Sequence, residues 1–293
     1  MSKREGLVYG MSEDEYHGQG EYAEHQFAEV SSTHAKLIAS EAGPAKYDFM
    51  RRSKVPQEPR VAFDLGTAVH TEVLGAGASI VEYPAEHLTK SGNVSTAAVT
   101  VAWAKQQREA GLVPVSADQA LAVVAMKEAV LAHPTARKLF EREGRSEVSV
   151  FDKYLDVKRR GRFDYLPDEG GIAVDLKTTM DASPAGFKMS VAKFGYHIQR
   201  GHYRSILERL GREVEMLFVT VEKTAPYLVA VHQLTDEFAH MGETEALAAV
   251  DTYRRCMDSG VWPGYPEGIN QLVPPMFSIY DFQDKYEREE MQV

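Results

Sequence analysis

The segment richest in chemistry is Arg162-Phe-Asp-Tyr-Leu-Pro-Asp-Glu-Gly-Gly-Ile-Ala-Val-Asp-Leu-Lys177, in which two apolar runs carry Asp164, Asp175 and Lys177. The runs flank a turn-forming stretch from Pro167 to Gly171, which predicts a β-hairpin. With the loop centred on Glu169-Gly170, Asp164 falls opposite Asp175. Residues so paired share a sheet face with Cβ atoms about 4.5–5.5 Å apart, and like charges there repel unless a cation sits between them. Alternation puts Lys177 on the face of Asp175 and sends Val174 and Leu176 into the core. The expected arrangement is a carboxylate pair, an ammonium and a freed strand-end carbonyl around one point. Hard oxygen ligands of this kind suit Mg2+ or Mn2+ better than zinc. A divalent cation there polarises a phosphodiester, lowers the pKa of a bound water and stabilises charge in an in-line displacement. Lys177 would orient or help deprotonate that water, or neutralise the phosphorane. The competing reading is two surface carboxylates and a lysine beside a turn.

Further residues bear on the choice. In Gly66-Thr-Ala-Val-His70, glycine and histidine share a helix face at i and i+4 beside Val69 and Leu74; such a histidine can equally be a hydrogen-bonded core residue. Gln199 and Tyr203 are also i and i+4, on the face that carries Ile206, Leu207 and Leu210. An inward-facing glutamine needs a partner, which backbone could supply. Glu147, near the start of the first long strand, is a further acid able to bear a ligand or support one.

The elements that must position these residues form a helical first half and a strand-rich centre. Residues 1–30 are polar and read as an extended arm, and Ser31 or Ser32 caps a helix through Lys36, Leu37 and Ile38. After Pro44 comes a basic stretch to Arg60; a helix then fits Val61 to Leu74, another Thr96 to Ala110, and a third runs from a Ser116 cap to His133. Strands are expected at Ser146–Asp156, Arg160–Leu166 and Ile172–Thr178. Helices over Ser183–Lys193 and Tyr196–Leu210, strands over Glu213–Val221 and Tyr227–Gln233 and a helix over Asp236–Met257 follow, before a Pro-rich tail over residues 259–293. With no internal repeat or linker, residues 31–258 read as one α/β domain. The 44% hydrophobic content of this 293-residue chain excludes a mainly disordered protein, and a net charge of −10 excludes a histone-like coat of nucleic acid. It leaves open an enzyme whose basic groups line one channel. Cys256 alone allows neither an intrachain disulfide nor a four-cysteine metal site. No signal peptide or membrane span is visible, which predicts a protein of the bacterial cytoplasm without membrane association.

Taken in order, Leu65-Gly-Thr-Ala-Val-His70, Gly161-Arg-Phe-Asp164, Val174-Asp-Leu-Lys-Thr-Thr179 and Phe194-Gly-Tyr-His-Ile-Gln-Arg-Gly-His-Tyr203 resemble the exonuclease VIII (RecE-type) nucleases of phages and prophages. These belong to the RecB-like branch of the PD-(D/E)xK superfamily. The resemblance covers roughly Ser31 to Met257 and implies a mixed central sheet flanked by helices, with a helical N-terminal elaboration. It implies metal-dependent resection of linear double-stranded DNA, 5′ to 3′, leaving 3′ single strands for an annealing recombinase. It also implies His70, Asp164, Asp175 and the Leu176 carbonyl as metal ligands, Lys177 as the catalytic lysine, and Gln199 and Tyr203 in support. A ring-like homo-oligomer around DNA is implied as well. Phosphate contacts would come from Arg51, Arg52, Lys54, Arg159, Arg160, Arg162 and Arg200, basic residues near the site. An endonuclease on the same core, or a catalytically idle DNA-binding or partner-docking protein, are the alternatives; the intact Asp164, Asp175 and Lys177 weigh against the latter.

Overall fold

The computed structural model describes residues 5–18, 26–53, 61–75 and 79–287. The chain begins with β1 (Gly6–Val8), α1 (Glu13–His17), α2 (Ser32–Ala39), α3 (Gly43–Ser53) and α4 (Val61–Leu74). It continues through β2 (Ile80–Glu82), α5 (Ala98–Glu109), β3 (Val113–Val115), α6 (Ala117–Ala132) and α7 (Pro134–Phe140). The long strands β4 (Gly144–Tyr154), β5 (Val157–Pro167) and β6 (Gly171–Thr179) come next. Then follow α8 (Pro184–Phe194), α9 (Tyr196–Arg209), β7 (Val214–Glu222), β8 (Val229–Gln233), α10 (Asp236–Ser259) and α11 (Met276–Phe282).

Among the described residues the main sheet has the order β1-β4-β5-β6-β7-β8. β4 and β5 form a long antiparallel hairpin closed by Leu155 and Asp156, both in the left-handed region (φ 49° and 62°), where a two-residue turn matches the twist of its strands. β6 and β7 are parallel, which requires a crossover, and α8 and α9 supply it. All other adjacent pairs are antiparallel, so the sheet is mixed as expected. One face packs on α4, α6 and α7 through Val69, Val123, Met126, Val174 and Leu176. The opposite face packs on α8 and α9 through Phe187, Ile206, Leu207, Met216 and Phe218. A third cluster joins α2, α3 and α10 through Ile38, Tyr47 and Val250.

Local signals hold where they are strong. Ser31 and Ser116 each close a reciprocal capping box, and Pro134 occupies the first turn of α7. One expectation changes, and one segment without an assigned conformation gains one. The arm over residues 1–30 is not merely extended: β1 adds an edge strand to β4, and Met11 and Tyr16 are buried against Phe151. The basic stretch after Pro44 is helical through Ser53, because Tyr47 is buried between Phe27, His34 and Trp262. Among the described residues no helix is long and apolar enough to cross a membrane.

Candidate functional site

β5 and β6 meet through Tyr165 opposite Val174, the register expected from the hairpin loop. The next residues along that register, Asp164 and Asp175, lie where the ladder ends. There the Asp164 Oδ2 atom accepts the Leu176 N–H at 2.6 Å, so a carboxylate takes a proton donor left by the parting strands. On β6 the alternation is as expected: Val174 and Leu176 are fully buried toward α4 and α6, with Asp175 and Lys177 on the other side. On β5 it breaks. Phe163 packs toward α9, whereas Tyr165 packs toward α4 and α6. Across the hairpin Glu147 adopts φ 55°, a left-handed conformation costly for a residue with a side chain, and the β4–β5 ladder skips Glu147 and Asp164. This local distortion turns both acids toward α4.

There they meet His70. Its Nδ1 atom is 3.5 Å from Asp164 Oδ2, and one ligand atom from each of His70, Glu147 and Asp164 lies within 4.8 Å of the others. Gly66, one turn earlier on α4, faces Thr178; a Cβ there would lie 3.7 Å from its Oγ1, so the helix passes close over β6. Asp175 stands beside this trio in a second set. Its Oδ2 atom is 2.6 Å from Lys177 Nζ, and its Oδ1 accepts a hydrogen bond from Gln199 Nε2 at 2.6 Å. Lys36 Nζ on α2 donates to Gln199 Oε1 at 3.3 Å. The Tyr196 ring lies 5.0 Å from Lys177 Nζ and 5.2 Å from Lys36 Nζ.

Charge and burial oppose each other throughout. Burial raises Asp164 to about 7, with the charges of Asp175 and Glu147 adding to the rise and those of His70 and Lys177 resisting it. Burial pulls Lys177 down, but the carboxylates of Asp175 and Asp164 outweigh it and hold the ammonium well above the usual lysine range. Lys36 behaves in the opposite way. Burial, reinforced by the Lys177 charge, brings it down to about 7 against the pull of Asp175. Two carboxylates and an imidazole make a hard to borderline donor set, which fits a divalent cation.

The expected site residues thus fall into a trio (His70, Glu147, Asp164) and an adjoining chain (Asp175, Lys177, Gln199). Leu176 joins them through its N–H. Tyr203 sits beneath β5 rather than among the acids: its ring packs on Phe163, its hydroxyl is 3.5 Å from Ser32 Oγ, and a Cβ on Gly161 would approach the ring to 2.8 Å. Burial pushes that hydroxyl up to about 12.

Of the arginines expected on DNA, those on β5 and α9 are occupied by acids. Arg159 is fully buried, bonded to Asp152 and Ser205. Arg160 is buried with Glu29 at 3.7 Å, Arg162 pairs with Glu147, and Arg200 is buried with Glu215 and Glu243. Arg159, Arg160 and Arg162 thus lie on an interior strand and are neutralised by acids from other elements, while Lys158 stays exposed. Arg51 and Arg52 pair with Asp48 on α3, and Lys54 lies outside the described residues. Sequence reasoning missed Lys36 and Tyr196. A lysine next to Leu37 and Ile38 in a capped helix was the available signal for the first; the second lay inside the Phe194–Tyr203 motif without an assigned role.

Residues 26–273 match the family described as a PDDEXK-like domain of unknown function (DUF3799). The chain belongs to this family. Its PDDEXK-like character bears out the superfamily resemblance, and no curated protein matches it. Among solved structures, a protein designated a candidate exonuclease from Eubacterium rectale shares the fold at a TM-score of 0.61 and 13% identity, covering 93% of this chain and 98% of that one. A phage-related exonuclease from Haemophilus somnus 129PT aligns at 11% identity over 80% of this chain and 96% of that one, with a TM-score of 0.31.

Proposed function

We propose that this PDDEXK-like protein is a metal-dependent exodeoxyribonuclease that resects linear double-stranded DNA 5′ to 3′ and leaves 3′ single strands for an annealing recombinase. The observation that carries the nuclease reading is the convergence of His70, Glu147 and Asp164 beside the Asp175–Lys177–Gln199 chain at the parting of β5 and β6. The exonuclease designation of the full-length structural neighbour supports it; direction, the annealing partner and a ring-like oligomer rest on the motif resemblance.

His70, Glu147 and Asp164 would hold the divalent cation, with the Asp175 charge acting on Asp164 from beside them. When bound, it supplies Lewis-acid polarisation of the scissile phosphate and a more acidic water. Asp175 and Asp164 outweigh the burial of Lys177 and favour its ammonium form, which would act by charge and hydrogen bonding. Its contribution is to neutralise negative charge that builds on the phosphate as the leaving oxygen departs. Asp175, held at both oxygens by Lys177 and Gln199, keeps that ammonium in place.

Linear duplex labelled separately at its 5′ and 3′ ends, incubated with Mg2+ or with EDTA, tests the proposal. Early release of the 5′ label with Mg2+ alone, and no cutting of a supercoiled circle, is the expected result. Early release of the 3′ label would reverse the polarity, nicking of the circle would make the protein an endonuclease, and inertness toward every substrate would remove the activity.

A further inference from the structure

We propose that Lys36 is a positioning residue for this reaction, fixing the orientation of the Gln199 amide and through it the Asp175 carboxylate that holds Lys177. The inference rests on the nuclease reading above, and its argument is one of donors and acceptors. The amide of Gln199 has two distinct ends. One end faces Asp175 Oδ1, an acceptor only; the other faces Lys36 Nζ, a donor only in its ammonium form, which prevails below about pH 7. With the amide turned over, Oε1 would face a carboxylate and the NH2 group would face an ammonium, so both contacts would become repulsive. A lysine at position 36 therefore leaves the amide one orientation, and that orientation aims a donor at Asp175.

The surroundings are shaped for this contact. Among the described residues no carboxylate forms an ion pair with Lys36, so its cation is committed to a neutral amide despite the nearby Lys177. Its stem passes against Gly195, the left-handed junction (φ 63°) between α8 and α9, where a Cβ would come within 3.2 Å of Lys36 Cγ. α2, set by the Ser31 capping box, thus delivers one side chain to the first turns of α9, and the Tyr196 ring lies within reach of both ammonium groups. Removing the charge relieves a buried cation, so Lys36→Met, close in length, is expected to fold at least as well as the parent.

Digestion of linear duplex with Mg2+ by the full-length chain, Lys36→Met, Lys36→Arg, Gln199→Ala and the double variant Lys36→Met/Gln199→Ala tests the proposal. Lys36→Met should lower kcat about tenfold to a hundredfold, the range for losing a charge-assisted hydrogen bond, with KM within about twofold. Lys36→Arg should recover part of that loss, and the double variant should be no slower than Gln199→Ala alone. Unchanged kcat in Lys36→Met overturns the proposal. So does a loss confined to KM that adds to the Gln199→Ala loss and weakens the salt dependence, since that pattern marks a direct phosphate contact. A second readout needs no activity: the Gln199 side-chain amide NMR signal, identified by its absence in Gln199→Ala, should shift and exchange faster with solvent in Lys36→Met. An unmoved signal also overturns the proposal. If the parent chain digests nothing, the nuclease reading fails and the NMR comparison alone decides the role of Lys36 in holding the amide.

Discussion

At the scale of single residues, Asp164 carries the sharpest conflict between folding and function. Burial holds its carboxyl at about 7 in the folded chain, above the ordinary carboxylate value of 3.8. The folded state therefore binds more protons than the unfolded chain between those values, and the stability linked to this group is present at low pH and lost as pH rises toward 7. Asp164→Asn removes that loss while its amide oxygen can still accept the Leu176 N–H. We expect the variant to melt at the same or a higher temperature than the parent at pH 8 without metal, and its DNA digestion to fall on the order of a thousandfold, several kcal/mol of lost transition-state stabilisation. Calorimetry paired with a nuclease assay checks both; full digestion by a folded Asp164→Asn would take the residue out of the mechanism. The pairing of Asp164 with Asp175 and the face shared by Asp175 and Lys177 were legible in the sequence because both are local, a turn signal setting the register and alternation the face. The break on β5 that turns Asp164 toward His70, away from the face expected of it, was not. For Lys36 the neighbouring Leu37 and Ile38 marked only a lysine on a packed helix; its partner Gln199 is 163 residues away, so the contact itself was not legible.

At the scale of elements, the same distinction decides which expectations changed. The β5–β6 register, the capped helices and the α8–α9 crossover follow from turn residues, caps and apolar periodicity, all short-range, whereas the β4–β5 turn falls at Leu155–Asp156, inside the stretch expected as strand. The arginine run on β5 suggests phosphate contacts in sequence because its neutralising acids, Asp152 and Glu147 on β4 and Glu29 before α2, stand on other elements. Breaking such a buried pair leaves an uncompensated charge. Arg159→Met should therefore cost about 3–5 kcal/mol, moderated by Arg209 at 3.3 Å from Asp152, and show as a lowered denaturation midpoint. Packing between α9 and α10 gives a second test. Gly201 and Gly242 let these helices touch, and a Cβ on Gly201 would lie 2.5 Å from the Gly242 backbone. Alanine gains up to about 1 kcal/mol of helix propensity there, but backbone cannot yield as a side chain can, and overpacking costs about 1–3 kcal/mol or more. We expect Gly201→Ala to be destabilised in urea; a gain in stability would show that the helices separate freely.

At the scale of the whole molecule, the chain divides into a body and a tail. Trp262 stacks on Tyr47 at 5.7 Å and Pro263 accepts the Ala45 N–H, which fasten the chain just past α10. Beyond them Ile269, Leu272 and Val273 are more than four-fifths exposed, and α11 buries no residue. Apolar side chains that stay in water on folding contribute nothing to it, so a chain ending at Tyr265 should keep its melting temperature within a degree or two, and a larger drop would assign the tail a structural role. Within the body, everything functional depends on β4, β5 and α4 bringing two carboxylates and an imidazole to one place for a divalent cation. Manganese binding to the intact protein, followed by electron paramagnetic resonance at pH 6 and pH 8, tests that most directly. A ligand that titrates near 7 should strengthen binding about tenfold between those pH values, and Asp164→Asn should abolish the bound signal. Binding that is equally tight at both pH values and survives Asp164→Asn would contradict the account.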